Sequence, residues 1–410
     1  MTRPMEGIKV VEVAQFTFVP AAGAVLADWG ADVIKVEHAE TGDAQRGLVK
    51  VLGLDTISKG SSFIPIMEGP NRGKRSIGLA LEKPEAREIL HELVRDADVF
   101  LTNFLPGARA KLGLDSEDIR KINPNIVYAL GSGFGYEGPE AGKGGYDSTA
   151  FWARGGSGDA VTAAGSDRFI GMPTGAYGDS MGGLTIAGGI AAALFQRERT
   201  GTAPIVDVSL LGVGAWATQF NTNLALMAGG PLPKPAPRKH GAPSNPLTGA
   251  YRTKDDRWLM LTMLQPGRYW PEFVKHVDRP ELASDERFDS AANIMANADE
   301  AAEIVASILE TRTKDEWVTA FAGMEGQWSV VQDAWEVAHD VSLRAIGQIA
   351  PVIDAEGVER ELVGSPVHFD RTAPTLKRAP LFAEHTDEVV TELGRTEEQL
   401  LALKLAGAIT

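Results

Sequence analysis

Short runs of β-branched and apolar residues alternate with amphipathic stretches through the first third of the chain. Buried parallel strands produce continuous apolar runs, so the pattern predicts strands at residues 8–13, 33–37, 76–80, 99–103 and 126–130. Helical spacing predicts helices at residues 20–29, ending at Gly30, and at 84–96, where Pro84 stands near the start. Strands that alternate with helices in this way are typical of a mostly parallel sheet with helices on its faces. The predicted fold class is therefore α/β.

The pattern changes after residue 130. Residues 131–165 are rich in glycine and are predicted to form a loop-like region. The segments that follow are predicted as a helix at 179–199, a strand at 205–208, a helix at 210–227, a Pro/Gly/Lys-rich linker at 229–246, a hairpin at 248–263, helices to about residue 323, a strand at 350–354 and a last helix at 384–393.

These changes in pattern divide the chain into two predicted domains. Residues 1–208 form the first part of a large α/β domain, and residues 209–246 connect it to a smaller α+β domain at 247–330. Residues 331–410 are predicted to be a return segment that completes the large domain.

Composition narrows the class of protein. The 410 residues include 40 basic and 55 acidic side chains, a net charge of -15 that argues against a nucleic-acid-binding protein. The absence of cysteine excludes disulfides, thiol catalysis and cysteine-based zinc sites. The histidines have no paired metal-ligand spacing, so no metal is expected. No apolar run suits a signal peptide or a membrane span, and a soluble cytoplasmic protein is predicted.

Asp179 is the most informative candidate for chemistry. It lies in the glycine-rich segment 173–183, where a long helix of small apolar residues is predicted to begin. A carboxylate there faces the positive end of the helix dipole, so we expect it to stay ionised. The flanking glycines would let a bulky reactant approach the backbone. Asp179 is therefore either an N-cap or a nucleophile, and the local sequence does not decide between them.

Two other motifs near Asp179 are weaker. Gly178-Asp-Ser-Met-Gly182 matches the nucleophile elbow of α/β-hydrolases, with Ser180 as the nucleophile, but the elbow requires a strand before the serine and a Gly/Pro-rich loop precedes it. Gly131-Ser-Gly-Phe-Gly135 follows a strand, yet Tyr136 stands where a dinucleotide fingerprint needs its third glycine. No phosphate-binding loop with its lysine occurs, so ATP-dependent chemistry is not supported.

Two further segments fit a bound ligand. Asn71-Arg-Gly-Lys-Arg75 is a compact basic turn that could bind phosphate. Asn103-Phe-Leu-Pro-Gly107 follows a predicted strand, at the end of the sheet where open α/β proteins bind ligands. Each of these signals is weak when taken alone.

Taken together, the motifs resemble those of the class III CoA-transferases, the family of formyl-CoA transferase and carnitine CoA-transferase, to which α-methylacyl-CoA racemase is related. The resemblance covers nearly the whole chain and is specific in the order of its blocks. These are residues 7–13, 26–37, 71–76, 103–107, 178–180, 196–201, 245–252 and 384–388.

The resemblance implies a Rossmann-like large domain, an interlocked homodimer and covalent catalysis by Asp179. In the implied reaction Asp179 attacks an acyl-CoA thioester, and the resulting anhydride becomes an aspartyl-CoA thioester from which CoA passes to a carboxylic acid. Substrate contacts carry over onto Tyr146, Gln15 and Gly178. Coenzyme A contacts carry over onto Phe16, His38, Arg46, Arg72, Lys74, Arg75, Asn103, Phe104, Ala108 and Lys111.

Two residue positions distinguish members of this group. The racemases carry a catalytic histidine where this chain has Tyr146, a poor proton acceptor at neutral pH, so a transferase is favoured over the racemase alternative. Formyl-CoA transferases have a glycine-rich flap, whereas residues 240–246 are not a glycine run, so an acceptor other than oxalate is predicted. A catalytically silent CoA-binding protein is the remaining alternative, which the presence of Asp179 disfavours.

Overall fold

The computed structural model describes residues 3–48, 50–51, 54–55, 61–234 and 239–410. These residues form two compact units, Met1–Pro233 with Val341–Thr410, and Lys234–Asp340. Residues 235–238 of the predicted linker lie outside the described residues. The predicted domain boundaries otherwise stay predictions.

The strands are β1 (Lys9–Val13), β2 (Asp32–Glu37), β3 (Lys50–Val51), β4 (Leu54–Asp55), β5 (Arg75–Gly78), β6 (Val99–Thr102), β7 (Val127–Ser132), β8 (Ile205–Ser209), β9 (Thr248–Arg252), β10 (Trp258–Thr262), β11 (Trp328–Val330), β12 (Ile349–Ile353) and β13 (Glu359–Val363).

The helices are α1 (Phe18–Asp28), α2 (Pro65–Asn71), α3 (Pro84–Arg95), α4 (Pro106–Leu112), α5 (Ser116–Ile122), α6 (Ser157–Val161), α7 (Tyr177–Thr200), α8 (Leu210–Ala217), α9 (Gln219–Ala228), α10 (Pro266–His276), α11 (Ala291–Ala296), α12 (Ala298–Leu309), α13 (Lys314–Ala320), α14 (Ala334–Ala338), α15 (Val341–Ala345), α16 (Thr386–Glu392) and α17 (Glu397–Leu405). A π-helix at Asp147–Arg154 and 3₁₀ turns at Ala44–Gly47 and Pro280–Ala283 complete the set.

A six-stranded sheet in the order β5-β2-β1-β6-β7-β8 forms the centre of the first unit. All of its pairings are parallel. This is the strand order of a Rossmann fold, in which the chain reverses its direction of winding between the first and fourth strands. Here that switch falls between β1 and β6, which confirms the predicted α/β class.

Alternate residues of each central strand face two separate apolar layers. Val10 of β1 packs with α1 and α7 on one face, whereas the next residue, Val11, packs with α3, α5 and α16 on the other. Both faces of the sheet are therefore covered, and this explains the continuous apolar runs in the sequence.

The second unit is built around an antiparallel sheet in the order β11-β10-β9. The hairpin predicted at 248–263 forms its β9–β10 pair. Trp270 of α10 and Trp317 of α13 are fully buried in the core of this unit. The large aromatic side chains thus supply much of the apolar area that stabilises a small unit.

Two predictions about local structure were wrong. The glycine-rich segment 131–165 was expected to be loop-like, but it contains the end of β7, the π-helix and α6. The helix expected at 210–227 is interrupted at Thr218, which caps the break between α8 and α9. Among the described residues, no helix is both long and apolar enough to cross a membrane.

Candidate active site

A cavity of about 390 Å³ opens beyond the carboxyl ends of β1 and β6. It lies at the point where the winding of the sheet reverses, the position at which open α/β sheets bind ligands. The loops after these strands contribute Phe16 and Asn103, and the first turn of α7 contributes Asp179. The lining residues are Phe16, Phe18, Asn103, Phe104, Leu105, Pro106, Arg109, Leu130, Gly131, Ser132, Gly133, Gly135, Tyr136, Ala141, Lys143, Gly144, Gly145, Tyr146, Asp179 and Leu210.

Asp179 is more easily protonated than its place on a helix suggests. Burial, together with the negative charge of Asp147, raises the pKa of Asp179 from its ordinary value of 3.8 to about 7. The expectation that the helix N-terminus keeps this carboxylate fully ionised was therefore wrong, because burial and the charge of Asp147 act against it. A carboxyl group with a pKa near neutrality has the perturbed titration that is common in catalytic groups.

Asp147, the first residue of the π-helix, is the charged residue whose repulsion raises the pKa of Asp179, and it was not predicted as a site residue. Burial raises the pKa of Asp147, against the effect of the backbone N–H groups of Ser148, Gly178 and Tyr177. The N–H groups at the start of α7 thus act on Asp147, although burial outweighs them. The only sequence signal for Asp147 is its place directly after Tyr146.

The glycines around Asp179 are explained by packing. A β-carbon on Gly178 would lie 2.5 Å from the ring of Phe151, and one on Gly182 would lie 2.3 Å from the ring of Phe18. The space beside these glycines is therefore filled by the protein, and the expectation that they make room for a reactant was wrong at both positions. They let α7 lie against α1 and the π-helix.

Two aromatic rings form one wall of the cavity. The ring of Phe16 meets that of Tyr146 edge-to-face, with centroids 5.6 Å apart and planes at 89°. Tyr146 is 59% exposed, so one of its faces is available to a ligand. The structure thus brings together Tyr146 and Phe16, which were predicted to contact substrate and CoA.

The Asn103 side chain is hydrogen-bonded to the backbone of Gln15. The Asn103 side chain accepts a hydrogen bond from the Gln15 N–H at 3.0 Å and donates one to the Gln15 carbonyl at 2.7 Å. Phe104, the next residue, lines the cavity beside Asn103. These contacts fix the loop after β1 to the loop after β6.

The basic residues predicted to contact CoA are held by carboxylates of the protein. Lys74 pairs with Glu12 at 2.7 Å and Arg72 pairs with Asp28 at 2.6 Å, and all four side chains are buried. Burial lowers the pKa of Lys74 to about 7, although Glu12 opposes the change. Neither side chain lines the cavity.

The other predicted cations differ in their surroundings. Arg46 pairs with Glu37, Arg75 pairs with Asp32, Glu388 and Glu392, and His38 lies 3.7 Å from Glu82. Lys111 lies exposed on α4 beside Ala108, and within the described chain it has no carboxylate partner. Sequence reasoning missed Arg109 and Lys143, which line the cavity. In the sequence, the only indication of Arg109 and Lys143 was that each is a basic residue in a short segment of surface character.

Comparison with known proteins identifies the chain. Residues 5–386 match the model of CoA-transferase family III. The chain belongs to CoA-transferase family III. The resemblance seen in the sequence is therefore confirmed.

Two relatives and one solved structure are similar to this CoA-transferase over nearly their whole length. It is 31% identical to the cinnamoyl-CoA:phenyllactate CoA-transferase of Clostridium sporogenes, covering 98% of this chain and 96% of the relative. It is 32% identical to the formyl-CoA:oxalate CoA-transferase of Streptomyces avermitilis, covering all of both chains. The crystal structure of a CAIB/BAIF family protein from Brucella suis matches with a TM-score of 0.81 and 28% identity, covering 96% of this chain and 100% of that one. The protein is thus an acyl-CoA:carboxylate CoA-transferase.

The site lacks features that the alternatives would require. Ser180 is exposed, does not line the cavity, and follows a segment that is not a strand, unlike the serine of a nucleophile elbow. No histidine is among the described residues that line the cavity, so the acid/base pair of a racemase has no imidazole there. In the described part of the chain, no three His, Asp or Glu side chains are grouped as a metal site.

Proposed function

We propose that Asp179 is the nucleophile through which this CoA-transferase moves CoA from an acyl-CoA to an apolar carboxylic acid. The observation that carries the proposal is the position of the Asp179 carboxylate in the cavity at the switch point of the sheet. No other carboxylate is among the described residues lining that cavity.

In the proposed reaction each step exchanges one acyl bond. The ionised Asp179 oxygen attacks the thioester carbonyl carbon, the C–S bond breaks, and a mixed anhydride and CoA thiolate result. The thiolate then attacks the aspartyl carbonyl carbon, which releases the first carboxylate and leaves an aspartyl-CoA thioester. The acceptor carboxylate repeats these two steps in reverse order and regenerates Asp179. The thioester free energy is conserved, so no ATP is consumed.

The raised pKa of Asp179 sets a condition on the first step. Only the ionised carboxylate is a nucleophile, and with a pKa of about 7 roughly half of Asp179 is ionised at neutral pH. A partly desolvated carboxylate is also less stabilised by water before it attacks. The acylation rate should therefore rise with pH through neutrality.

The cavity walls favour an apolar acyl group. Phe16, Phe18, Phe104 and Tyr146 line the same cavity as Asp179, and an aromatic wall favours apolar ligands over small dianions such as oxalate. The relative from Clostridium sporogenes is named for cinnamoyl and phenyllactate substrates. We therefore assign aryl or branched aliphatic acids to this enzyme as the acceptor class.

We propose that Lys111 contacts a phosphate group of coenzyme A. It is exposed on α4, whose Pro106 and Arg109 line the cavity. A compact ammonium without a carboxylate partner is suited to phosphate. The buried Arg72 and Lys74 would have to leave their ion pairs to take that role, which is costly.

A homodimer is proposed from the surface of α8 and α9. Trp216 is 71% exposed, Phe220 75% and Met227 80%, and several large apolar side chains exposed on two consecutive helices are typical of an interaction surface. A second copy of the chain, interlocked with the first as the family resemblance implies, would cover this face. Sedimentation or light scattering measures the mass directly.

Trapping the intermediate tests the proposed nucleophile. The enzyme is incubated with a panel of aryl, branched and small acyl-CoAs, treated with hydroxylamine, and digested for mass spectrometry. A hydroxamate on Asp179 is expected in the parent and in the control Ser180→Ala, and none in Asp179→Asn. Modification at Ser180 would overturn the proposal in favour of a hydrolase. Exchange of the α-proton into deuterated water without an acceptor acid would support a racemase instead.

A further inference from the structure

We infer that Asp43, a buried residue outside the cavity, is a positioning residue that holds Phe16 in the wall of the CoA site. The inference rests on the proposed function for its ligand. The observation that leads to the inference is the backbone conformation of Phe16, which follows β1 and has a φ of +64°. Residues other than glycine are unfavourable in this left-handed region, and they persist there only when neighbouring groups hold them.

The group that holds Phe16 is the Asp43 carboxylate. One of its oxygens accepts hydrogen bonds from the Phe16 N–H at 3.0 Å and from the Gln45 N–H at 2.9 Å. The other oxygen lies 2.8 Å from the Nζ of Lys35, and both side chains are fully buried. Hydrogen bonds to a charged acceptor are shorter and stronger than neutral ones. Asp43 thus fixes the backbone of Phe16 by a charge-assisted contact.

The residues on either side of Phe16 are held by the same cluster. Lys35 donates to the Ala14 carbonyl at 3.0 Å, and the Thr17 hydroxyl donates to the Gln45 side-chain oxygen at 2.9 Å. Gln45 is itself anchored by donating to the Ile66 carbonyl. The loop after β1 therefore has several polar contacts to one buried cluster, which makes a single conformation of Phe16 the favoured one.

Lys35, the ammonium group that pairs with Asp43, keeps its charge across the neutral range. Burial alone would lower the pKa of Lys35, but Asp43, Glu12 and Glu37 together raise it. The ammonium group therefore stays protonated at the pH values where Asp179 titrates.

The consequence for the site follows from the aromatic wall. With Phe16 fixed, its ring stands edge-on to Tyr146 and both line the cavity with Asp179. Without Asp43, the Phe16 backbone would relax toward ordinary φ values and its ring would leave this wall. A preorganised wall binds its ligand more tightly, because no free energy is lost in ordering the wall when the ligand binds.

The test compares two chemically matched variants, Asp43→Asn and Asp354→Asn. Asp354 is also buried, accepts backbone N–H groups from Glu356 and Val358, and pairs with Arg360 at 2.9 Å, but it holds no cavity residue. Titration calorimetry with coenzyme A should show a Kd raised roughly tenfold in Asp43→Asn, the difference between a charged and a neutral acceptor for the Phe16 N–H. Asp354→Asn should leave the Kd unchanged.

A double-mutant cycle with Phe16→Gly identifies the route of the effect. Glycine has no side chain to position, so Asp43→Asn should add little to the Kd change in the Phe16→Gly background. Full additivity, or an equal loss in Asp354→Asn, would overturn the inference. In turnover the loss should fall on KM for the acyl-CoA and leave kcat within about twofold.

Two further measurements cover the cases in which calorimetry alone is not decisive. If Asp43→Asn does not fold, Thr17→Val removes one contact of the loop and leaves the ion pair intact, and it should show the same dependence on Phe16. If the parent enzyme binds no CoA, the proposed function fails. A crystal structure of Asp43→Ala, which removes the acceptor of the Phe16 N–H, then decides the inference by itself, because a Phe16 φ that stays positive contradicts it.

Discussion

Replacing Asp179 by asparagine should abolish activity and stabilise the folded protein, by an amount that depends on pH. The pKa of Asp179 is raised from 3.8 to about 7 by burial and by the charge of Asp147. The folded state therefore holds this proton more tightly than the unfolded chain. As pH rises from about 4 to about 7, ionising Asp179 removes stability from the folded state, because the unfolded chain has already lost the proton.

The size of the effect follows from the two pKa values. A rise from 3.8 to about 7 corresponds to roughly 4 kcal/mol of unfavourable free energy once Asp179 is ionised. About 2 kcal/mol of this develops between pH 5.5 and pH 8. Asparagine has nearly the same shape and carries no charge, so the variant does not bear the unfavourable free energy of a buried charge at this position. The gain in unfolding free energy of Asp179→Asn should therefore be about 2 kcal/mol larger at pH 8 than at pH 5.5.

The assay is thermal unfolding of parent and variant at both pH values. In a domain of this size about 1 kcal/mol moves Tm by roughly 2 °C, so the Tm difference should widen by about 4 °C. Asp167→Asn makes the same chemical change at an exposed site and should show no such widening. A Tm difference that is equal at both pH values, or a variant less stable than the parent at pH 8, would refute the reasoning.

Three other predictions concern activity and packing. Acylation of Asp179, measured by hydroxylamine trapping, should be roughly tenfold faster at pH 8 than at pH 6, since the ionised fraction of Asp179 rises from about one tenth to nine tenths. Asp147→Asn removes the repelling charge and should move the midpoint of this pH–rate profile to lower pH. Gly182→Ala should lower the unfolding free energy by about 1–3 kcal/mol in urea titrations, because the new β-carbon would lie 2.3 Å from the Phe18 ring. Lys111→Ala should raise KM for acyl-CoA several-fold with little change in kcat, which steady-state kinetics would show.

The sheet was predictable because its strands are buried on both faces. β6 was predicted at 99–103 and spans Val99–Thr102, and β7 was predicted at 126–130 and spans Val127–Ser132. The short helices α4 and α5 were not predicted, because about two turns give too few residues to show a helical period. The π-helix was hidden by the glycines on either side of it, which are typical of loops.

The candidate site was predictable only in part. The rule that ligands bind at the carboxyl ends of the strands placed Asn103 correctly at the cavity, and the family resemblance pointed to Phe16, Tyr146 and Asp179. The basic turn at residues 71–75 was predicted incorrectly as a phosphate-binding segment exposed at the surface. A run of cations in the sequence suggested an exposed phosphate clamp, yet Lys74 is buried against Glu12, which lies 62 residues earlier in the chain. Local charge patterns do not reveal such partners.

The ionisation of Asp179 shows why the helix rule failed. A helix N-terminus stabilises an anion through free backbone N–H groups as well as through its dipole. At the start of α7 the N–H groups of Tyr177 and Gly178 act on the Asp147 carboxylate, although burial outweighs them and its pKa stays raised. Asp179 receives the repulsion of that carboxylate and the cost of burial instead. Since Asp147 stands near the start of α7 only in the folded chain, no reading of the local segment predicts it. A carboxylate whose ionisation is disfavoured gains reactivity when it does ionise, so the arrangement that destabilises the fold at high pH also favours the proposed attack by Asp179.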